Sequence, residues 1–94
     1  MSRGGYATYS SAYWKEYSAF GSDIDLIADG PNASSGGQDA PRMILIQSAG
    51  NIVLQRQDGT NITTTGVIAG QELKCQPKKI ISAGTTITRC TVYW

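Results

Sequence analysis

The aromatic residues of this chain are distributed very unevenly. Six of the eight fall within the first twenty positions, namely Tyr6, Tyr9, Tyr13, Trp14, Tyr17 and Phe20. The other two are Tyr93 and Trp94. A single compact core draws large aromatic side chains from most of its elements, because each buries about 150–250 Å². The distribution therefore indicates a small body with an aromatic N-terminal arm, whose side chains bind another protein surface.

The arm aromatics are spaced at intervals of three or four residues from Tyr6 to Phe20. That spacing places them on one face if the segment is helical. Gly4, Gly5 and the many serines have weak helix propensity, so an extended or partly helical arm is predicted. The same stripe would also suit a helix packed on the chain's own core, and this alternative stays open.

A stretch rich in Gly, Pro, Ser and Asn follows the arm over residues 29–41. It has no apolar periodicity, which is typical of a linker. The sequence thus predicts two parts. Residues 1–40 form the aromatic anchoring arm and its linker, and residues 41–94 form a β body.

The body carries a succession of short strand patterns. Met43-Ile-Leu-Ile46 is apolar, residues 52–57 alternate, and Asp58-Gly59 marks a hairpin turn. Residues 72–81 read as one strand broken or bent at Pro77, which cannot donate to a central ladder. About six such strands predict an all-β fold, namely a small antiparallel β-sandwich or open barrel.

The charge balance excludes some partner classes. The net charge is +1, with two basic and five acidic residues in 1–40 (−3) and six basic and two acidic residues in 41–94 (+4). This balance is far from the strongly basic one of a nucleic-acid binder, so nucleic acid is not expected as a partner.

The N-terminus has no apolar signal core and no stretch reaches the length of a membrane span. A membrane is therefore not expected as a partner either.

The residues for common catalytic chemistry are missing. The chain has no histidine to activate a serine or cysteine nucleophile, and no glycine-rich loop leads into a helix with a lysine. An enzyme and a cofactor are therefore not expected. Asp23, Asp25 and Asp29 resemble part of a calcium loop, but a required ligand position falls on Ile27 and no closing glutamate follows, so no metal is predicted.

The two cysteines are predicted to be reduced and structural. Cys75 and Cys90 share strand faces with Leu73 and Val92, and free cysteine is among the most buried residue types. A disulfide would require their strands to be adjacent and in register.

A body of residues 41–94 alone is near the size at which one core becomes marginal, which favours association with other copies. Opposite charges on arm and body would allow the arm of one subunit to lie on a neighbour, although solvated faces explain them equally well. The candidate contact residues are Arg42, Lys74, Lys78, Lys79, Arg89, Tyr93 and Trp94. The lysines also fit the protection of an edge strand.

The body resembles small virion proteins of tailed phages, and in particular the head-spike base proteins of gene-transfer-agent particles. The similarity is carried by Val67-Ile-Ala-Gly70 and by Ser82-Ala-Gly-Thr-Thr86 ahead of the aromatic end, Thr91-Val-Tyr-Trp94. Ile68 stands where the family has proline, and Gln71 where it has threonine.

This resemblance implies a non-enzymatic structural protein, either a head decoration (cement) protein or the base of a spike or fibre. It implies a homo-oligomer, trimeric or pentameric, that contacts the major capsid protein or a spike, fibre or tail protein. The protein would be located in the virion and assembled in the host cytoplasm. The alternatives are a tail or connector adaptor, and a carbohydrate- or peptide-binding β-module in which Tyr93 and Trp94 stack on the ligand.

Overall fold

The structure is a computed structural model that describes residues 13–94. Within this range the chain forms eight strands and one 3₁₀ turn, Ala33–Ser35. The strands are β1 Trp14–Tyr17, β2 Ile24–Asp25, β3 Met43–Ile46, β4 Gly50–Gln55, β5 Asn61–Val67, β6 Glu72–Leu73, β7 Lys79–Ile81 and β8 Cys90–Tyr93. All pairings are antiparallel and build two four-stranded sheets, β1-β8-β3-β6 and β2-β7-β4-β5. The predicted all-β fold class is confirmed.

Strand β8 organises the first sheet because it lies between β1 and β3. Tyr93 is aligned with Trp14 on one side and with Met43 on the other. Cys90 and Val92 point into the core and are fully buried. The buried hydroxyl of Thr91 donates a hydrogen bond to Gln47 Oε1 at 2.9 Å, so the polar group does not remain unsatisfied.

Strand β4 organises the second sheet, between β7 and β5. The predicted turn at Asp58-Gly59 joins β4 to β5, with Gly59 in the left-handed region at φ 93°. Asp58 Oδ1 accepts hydrogen bonds from the backbone N–H and the hydroxyl of Thr60, and these bonds lower the pKa of the Asp58 carboxyl. Turn chemistry visible in the sequence therefore sets this hairpin.

The chain changes sheets at Pro77. Residues 72–81, predicted as one bent strand, are divided between β6 in the first sheet and β7 in the second. Pro77 is buried at this crossing, and the next residue, Lys78, donates its backbone N–H to the Gln55 carbonyl at 2.8 Å. The proline thus stands outside both ladders, where its missing N–H costs no hydrogen bond.

Gly50 illustrates a position that only glycine fits. Its φ is 150°, in the region that side chains avoid, and a Cβ there would lie 2.8 Å from Thr86 Oγ1. The Thr86 hydroxyl accepts the backbone N–H of Asn51 at 2.8 Å, which holds residues 85–87 against the start of β4.

The core joins both sheets and both ends of the described chain. Its buried members are Leu26, Ile44, Ile46, Ile52, Leu54, Val67, Ile80, Ile87, Cys90, Val92 and Trp94. Leu26 is 0% exposed and Trp94 is 7% exposed. The indole N–H of Trp94 donates to the Leu26 carbonyl at 3.2 Å. Trp94 is therefore a core residue, contrary to the expectation that the large aromatics lie outside the body.

Part of the aromatic stripe also belongs to the sandwich. Residues 14–17 form an extended strand and not a helix, and Tyr17 and Phe20 pack half-buried against the core. The Ser82 hydroxyl donates to the Phe20 carbonyl at 2.7 Å. The open alternative, in which the stripe covers the chain's own core, thus holds for Tyr17 and Phe20, in a strand and not a helix.

The segment predicted as a linker is folded locally by hydrogen bonds. Gly37 donates its N–H to the Asn32 carbonyl at 2.8 Å, and Asn32 Nδ2 donates to Asp39 Oδ2 at 2.7 Å. Gly30 lies so close to Trp94 that a Cβ would be 3.2 Å from the indole nitrogen. Residues 13–40 supply one strand to each sheet. The division into an arm of residues 1–40 and a body of residues 41–94 stays a prediction.

We expect Leu26→Ala to destabilise the protein strongly. Removing a fully buried leucine side chain costs about 2–5 kcal/mol when the cavity cannot collapse. Urea unfolding followed by circular dichroism measures this loss, with Ile68→Ala as the matched control because Ile68 is 62% exposed. Equal stability of the two variants would contradict the placement of Leu26 in the core.

We also expect alkaline pH to weaken the fold through Cys90. Burial raises the pKa of this thiol from 9.0 to about 12, so the folded state favours the neutral form. The resulting stability is present in full below pH 9 and is lost as pH rises toward 12. The free energy of unfolding should therefore fall less steeply over this interval in Cys90→Ala than in wild type; parallel pH profiles would contradict the burial of Cys90.

Candidate interaction surfaces

The predicted arm residues divide into three groups. Tyr6 and Tyr9 lie outside the described residues. Tyr17 and Phe20 pack on the core, as described above. Tyr13 and Trp14 remain at the surface, and Trp14, with 59% of its side chain exposed, offers a large aromatic surface next to the outer edge of β1.

Asp29 holds the start of β1 against the turn that follows β2. The Tyr17 hydroxyl donates to Asp29 Oδ2 at 2.8 Å, and Lys15 Nζ lies 3.7 Å from the same oxygen. The Tyr13 hydroxyl donates to the Asp29 carbonyl at 3.1 Å. Burial, together with this carboxylate, raises the pKa of Tyr17 far above its ordinary value. The position of Trp14 is thus determined by its neighbours on both sides.

The described aromatic residues at the two ends meet each other. The rings of Tyr13 and Trp94 are 5.4 Å apart at 74°, an edge-to-face contact. The backbone N–H of Trp94 donates to the Tyr13 carbonyl at 3.1 Å, and Arg42 Nη2 donates to the Trp94 carbonyl at 3.1 Å. Stacking of Trp94 on an external ligand would require its indole to leave the core.

The predicted oligomer contacts do not form a single patch. Arg42 and Tyr93 lie at the end of the first sheet where β8 finishes, together with the buried Trp94. Arg89 precedes β8 at the other end and contacts Glu16 at 3.2 Å. Lys78 and Lys79 line a small cavity of about 330 Å³, and Lys74 lies on the rim of a larger one. Their role in association stays a prediction.

The larger cavity is an open groove of about 760 Å³ between the two sheets. Apolar side chains from both sheets and from the crossing segment line it, namely Leu54, Ile62, Leu73, Cys75 and Pro77. The other residues that line the groove are charged or polar, namely Gln55, Arg56, Gln57, Asp58, Thr64, Glu72, Lys74 and Gln76. A groove that combines apolar and polar side chains is typical of a surface that binds another molecule.

Strand β5 borders this groove and forms the edge of its sheet. Its seven residues, Asn61–Val67, include neither a charge nor a proline. Ile62, in the groove, is 41% exposed. Natural edge strands are usually protected by charges, prolines or bulges. The pairing of β4 with β5 has a register irregularity between Gly50 and Ile52, but residues 61–64 pair regularly and include neither a charge nor a proline, so this part of the edge is a site where another strand can pair.

Sequence reasoning missed the groove because its lining comes from β4, β5 and the segment around Pro77, which only the fold brings together. A usable signal was present in the threonine-rich run Asn61–Val67, which reads as a strand but includes neither a charge nor a proline to protect an edge.

Two of the aspartates that resemble a calcium loop accept hydrogen bonds from backbone N–H groups. Asp25 Oδ1 accepts the N–H groups of Ile27 and Ala28 at 3.1 and 3.0 Å, and Asp23 Oδ1 accepts that of Ser82 at 2.8 Å. Over residues 13–94 no three potential metal ligands cluster together. Cys75 and Cys90 are both free thiols, and Cys75 is half-buried. Within the same range no helix has the length and hydropathy to cross a membrane.

Comparison with known proteins identifies a similar structure. The fold matches a chain from the capsid of a native gene-transfer-agent (GTA) particle computed with C5 symmetry, with a TM-score of 0.63 and 25% sequence identity. The match covers 88% of this chain and 83% of that chain. No protein-family model matches the sequence, and no curated protein does so significantly. The similarity supports a capsid-related structural protein of the phage type.

Proposed function

We propose that this chain is a non-enzymatic structural protein of a phage-like virion, located on the head as a decoration protein or as the base of a spike or fibre. The observation that carries the proposal is the match to the GTA capsid chain, which extends over most of both chains and therefore includes both sheets. The partial sequence resemblance to head-spike base proteins points in the same direction.

The proposal includes association. The GTA capsid was computed with C5 symmetry, and a fivefold arrangement of this chain around a vertex would fit a pentameric homo-oligomer. The uncharged edge of β5 supports association through strand pairing. The major capsid protein is the expected neighbour on the particle, with assembly in the host cytoplasm.

The N-terminal segment is proposed to hold the protein in this assembly. Trp14 is suited to such a contact because it is 59% exposed while its strand is paired with β8. Tryptophan is enriched among the residues that dominate binding energy, since it supplies a large rigid surface. Tyr6 and Tyr9 would extend the contact toward the N-terminus.

We expect Trp14→Ala to reduce incorporation into particles without unfolding the protein. Losing a dominant interface residue costs about 2 kcal/mol or more, which corresponds to a reduction of roughly thirtyfold in affinity. The measurement is the ratio of this chain to the major capsid protein in purified particles, by quantitative mass spectrometry.

Ile68→Ala is the matched control, because Ile68 is similarly exposed but follows β5, at the opposite edge of the sandwich from β1. It should be incorporated like wild type. Both variants should keep the wild-type melting temperature. Wild-type incorporation of a doubly altered chain, Trp14→Ala with residues 2–12 deleted, would contradict the anchoring role.

A further inference from the structure

The groove and the edge of β5 form one continuous surface. Its apolar lining residues are Leu54, Ile62, Leu73, Cys75 and Pro77, and β5 runs along one side with its outer edge paired to no other strand of residues 13–94. Ile62 belongs to both features and is 41% exposed. An extended peptide could therefore pair with β5 through its main chain while placing side chains in the groove.

The strand orders place this surface opposite the N-terminal strand. The groove is lined from β6, the edge of the first sheet, and from β5, the edge of the second. Strands β1 and β2 form the other edge of each sheet. Residue 13, where the described chain begins, therefore lies at the side away from the groove.

The residues before β1 have the composition that this surface requires. From Gly4 to Trp14 the sequence includes no charge and no proline, so it can pair with a strand whose edge is also uncharged. Glycine, alanine, serine and threonine let the backbone approach closely. Tyr6 and Tyr9 supply large side chains with an apolar ring and a polar hydroxyl, which match a groove lined by both apolar and polar residues.

The opposite placement of arm and groove favours a neighbouring copy as the source of this segment. In a head-to-tail ring the β1 side of one copy faces the β5 side of the next. The arm would then cross only the interface, and twelve extended residues span up to about 40 Å. To reach its own groove the arm would first have to pass the whole first sheet, about 14 Å for three strand spacings, which leaves less of the segment to pair along β5.

We propose that the groove beside β5 receives the N-terminal segment around Tyr6 and Tyr9 of a neighbouring copy of this chain. The inference rests on the proposed function in one respect, namely that the N-terminal segment holds the protein in an assembly. It names the next copy of the chain, and not the capsid protein, as what the segment binds.

Cys75 allows a direct test because this half-buried thiol lines the groove. Ser10→Cys, which keeps Tyr6 and Tyr9, is prepared in the full chain and treated with a short bismaleimide cross-linker at a concentration where the purified protein is oligomeric. The expected result is a ladder of covalent oligomers that is absent from wild type and from Ser10→Cys with Cys75→Ala. Cross-linking within single chains, without a ladder, would overturn the exchange between copies.

Sedimentation velocity gives the second test. Ile62→Lys places a charge on the exposed edge beside the groove, and we expect it to shift the protein from oligomer to monomer, as deletion of residues 2–12 should. Ile68→Lys is the matched control and should leave the oligomer intact, because Ile68 lies outside the groove. Circular dichroism and melting establish that each variant is folded.

Three results would contradict the inference: a monomeric wild type, an oligomer unaffected by the deletion, or an oligomer unaffected by Ile62→Lys in the folded variant. These results are distinguishable from failure of the proposed function. If the deletion abolished incorporation into particles but left the purified oligomer intact, the arm would bind the capsid, and only the inference about the neighbouring copy would be wrong.

Discussion

The contacts between the N-terminal part of the described chain and its C-terminal end are the interactions on which the fold depends. Leu26 is fully buried, and the indole N–H of Trp94 donates to the Leu26 carbonyl at 3.2 Å. At the same time β8, the strand that leads to Trp94, pairs with β1 from the N-terminal side and with β3. The first sheet therefore cannot form without segments that are separated by most of the sequence.

This arrangement changes the argument about size. Residues 41–94 alone would be near the limit for an independent core, but residues 14–17 and 24–25 add a strand to each sheet and Leu26 fills the interior. The argument for association with other copies then depends less on a small hydrophobic core and more on the exposed edges of the sheets. Strand β5 is long and uncharged, and it borders an apolar groove where the two sheets separate. Fold and assembly are connected at this edge.

The features that the sequence predicted well are local. The apolar run Met43–Ile46, the turn at Asp58-Gly59 and the interruption at Pro77 each depend on a few neighbouring residues. The failures are contacts between distant positions. From the sequence, Trp94 is expected to be an exposed aromatic residue, because its contact with Leu26, 68 positions away, is formed only in the fold. The same holds for β1, since only its pairing with β8 decides that these residues are extended.

The same distinction between local features and distant contacts applies to the candidate site. The exposed Trp14 was a predicted contact residue, whereas the groove depends on β4, β5 and the crossing segment meeting in space. The central claim is that this chain is a component of a virion. Quantitative mass spectrometry of particles purified to constant composition tests it most directly. We expect the wild-type chain in a fixed ratio to the major capsid protein, retained after washing in high salt; its absence from such particles would contradict the account.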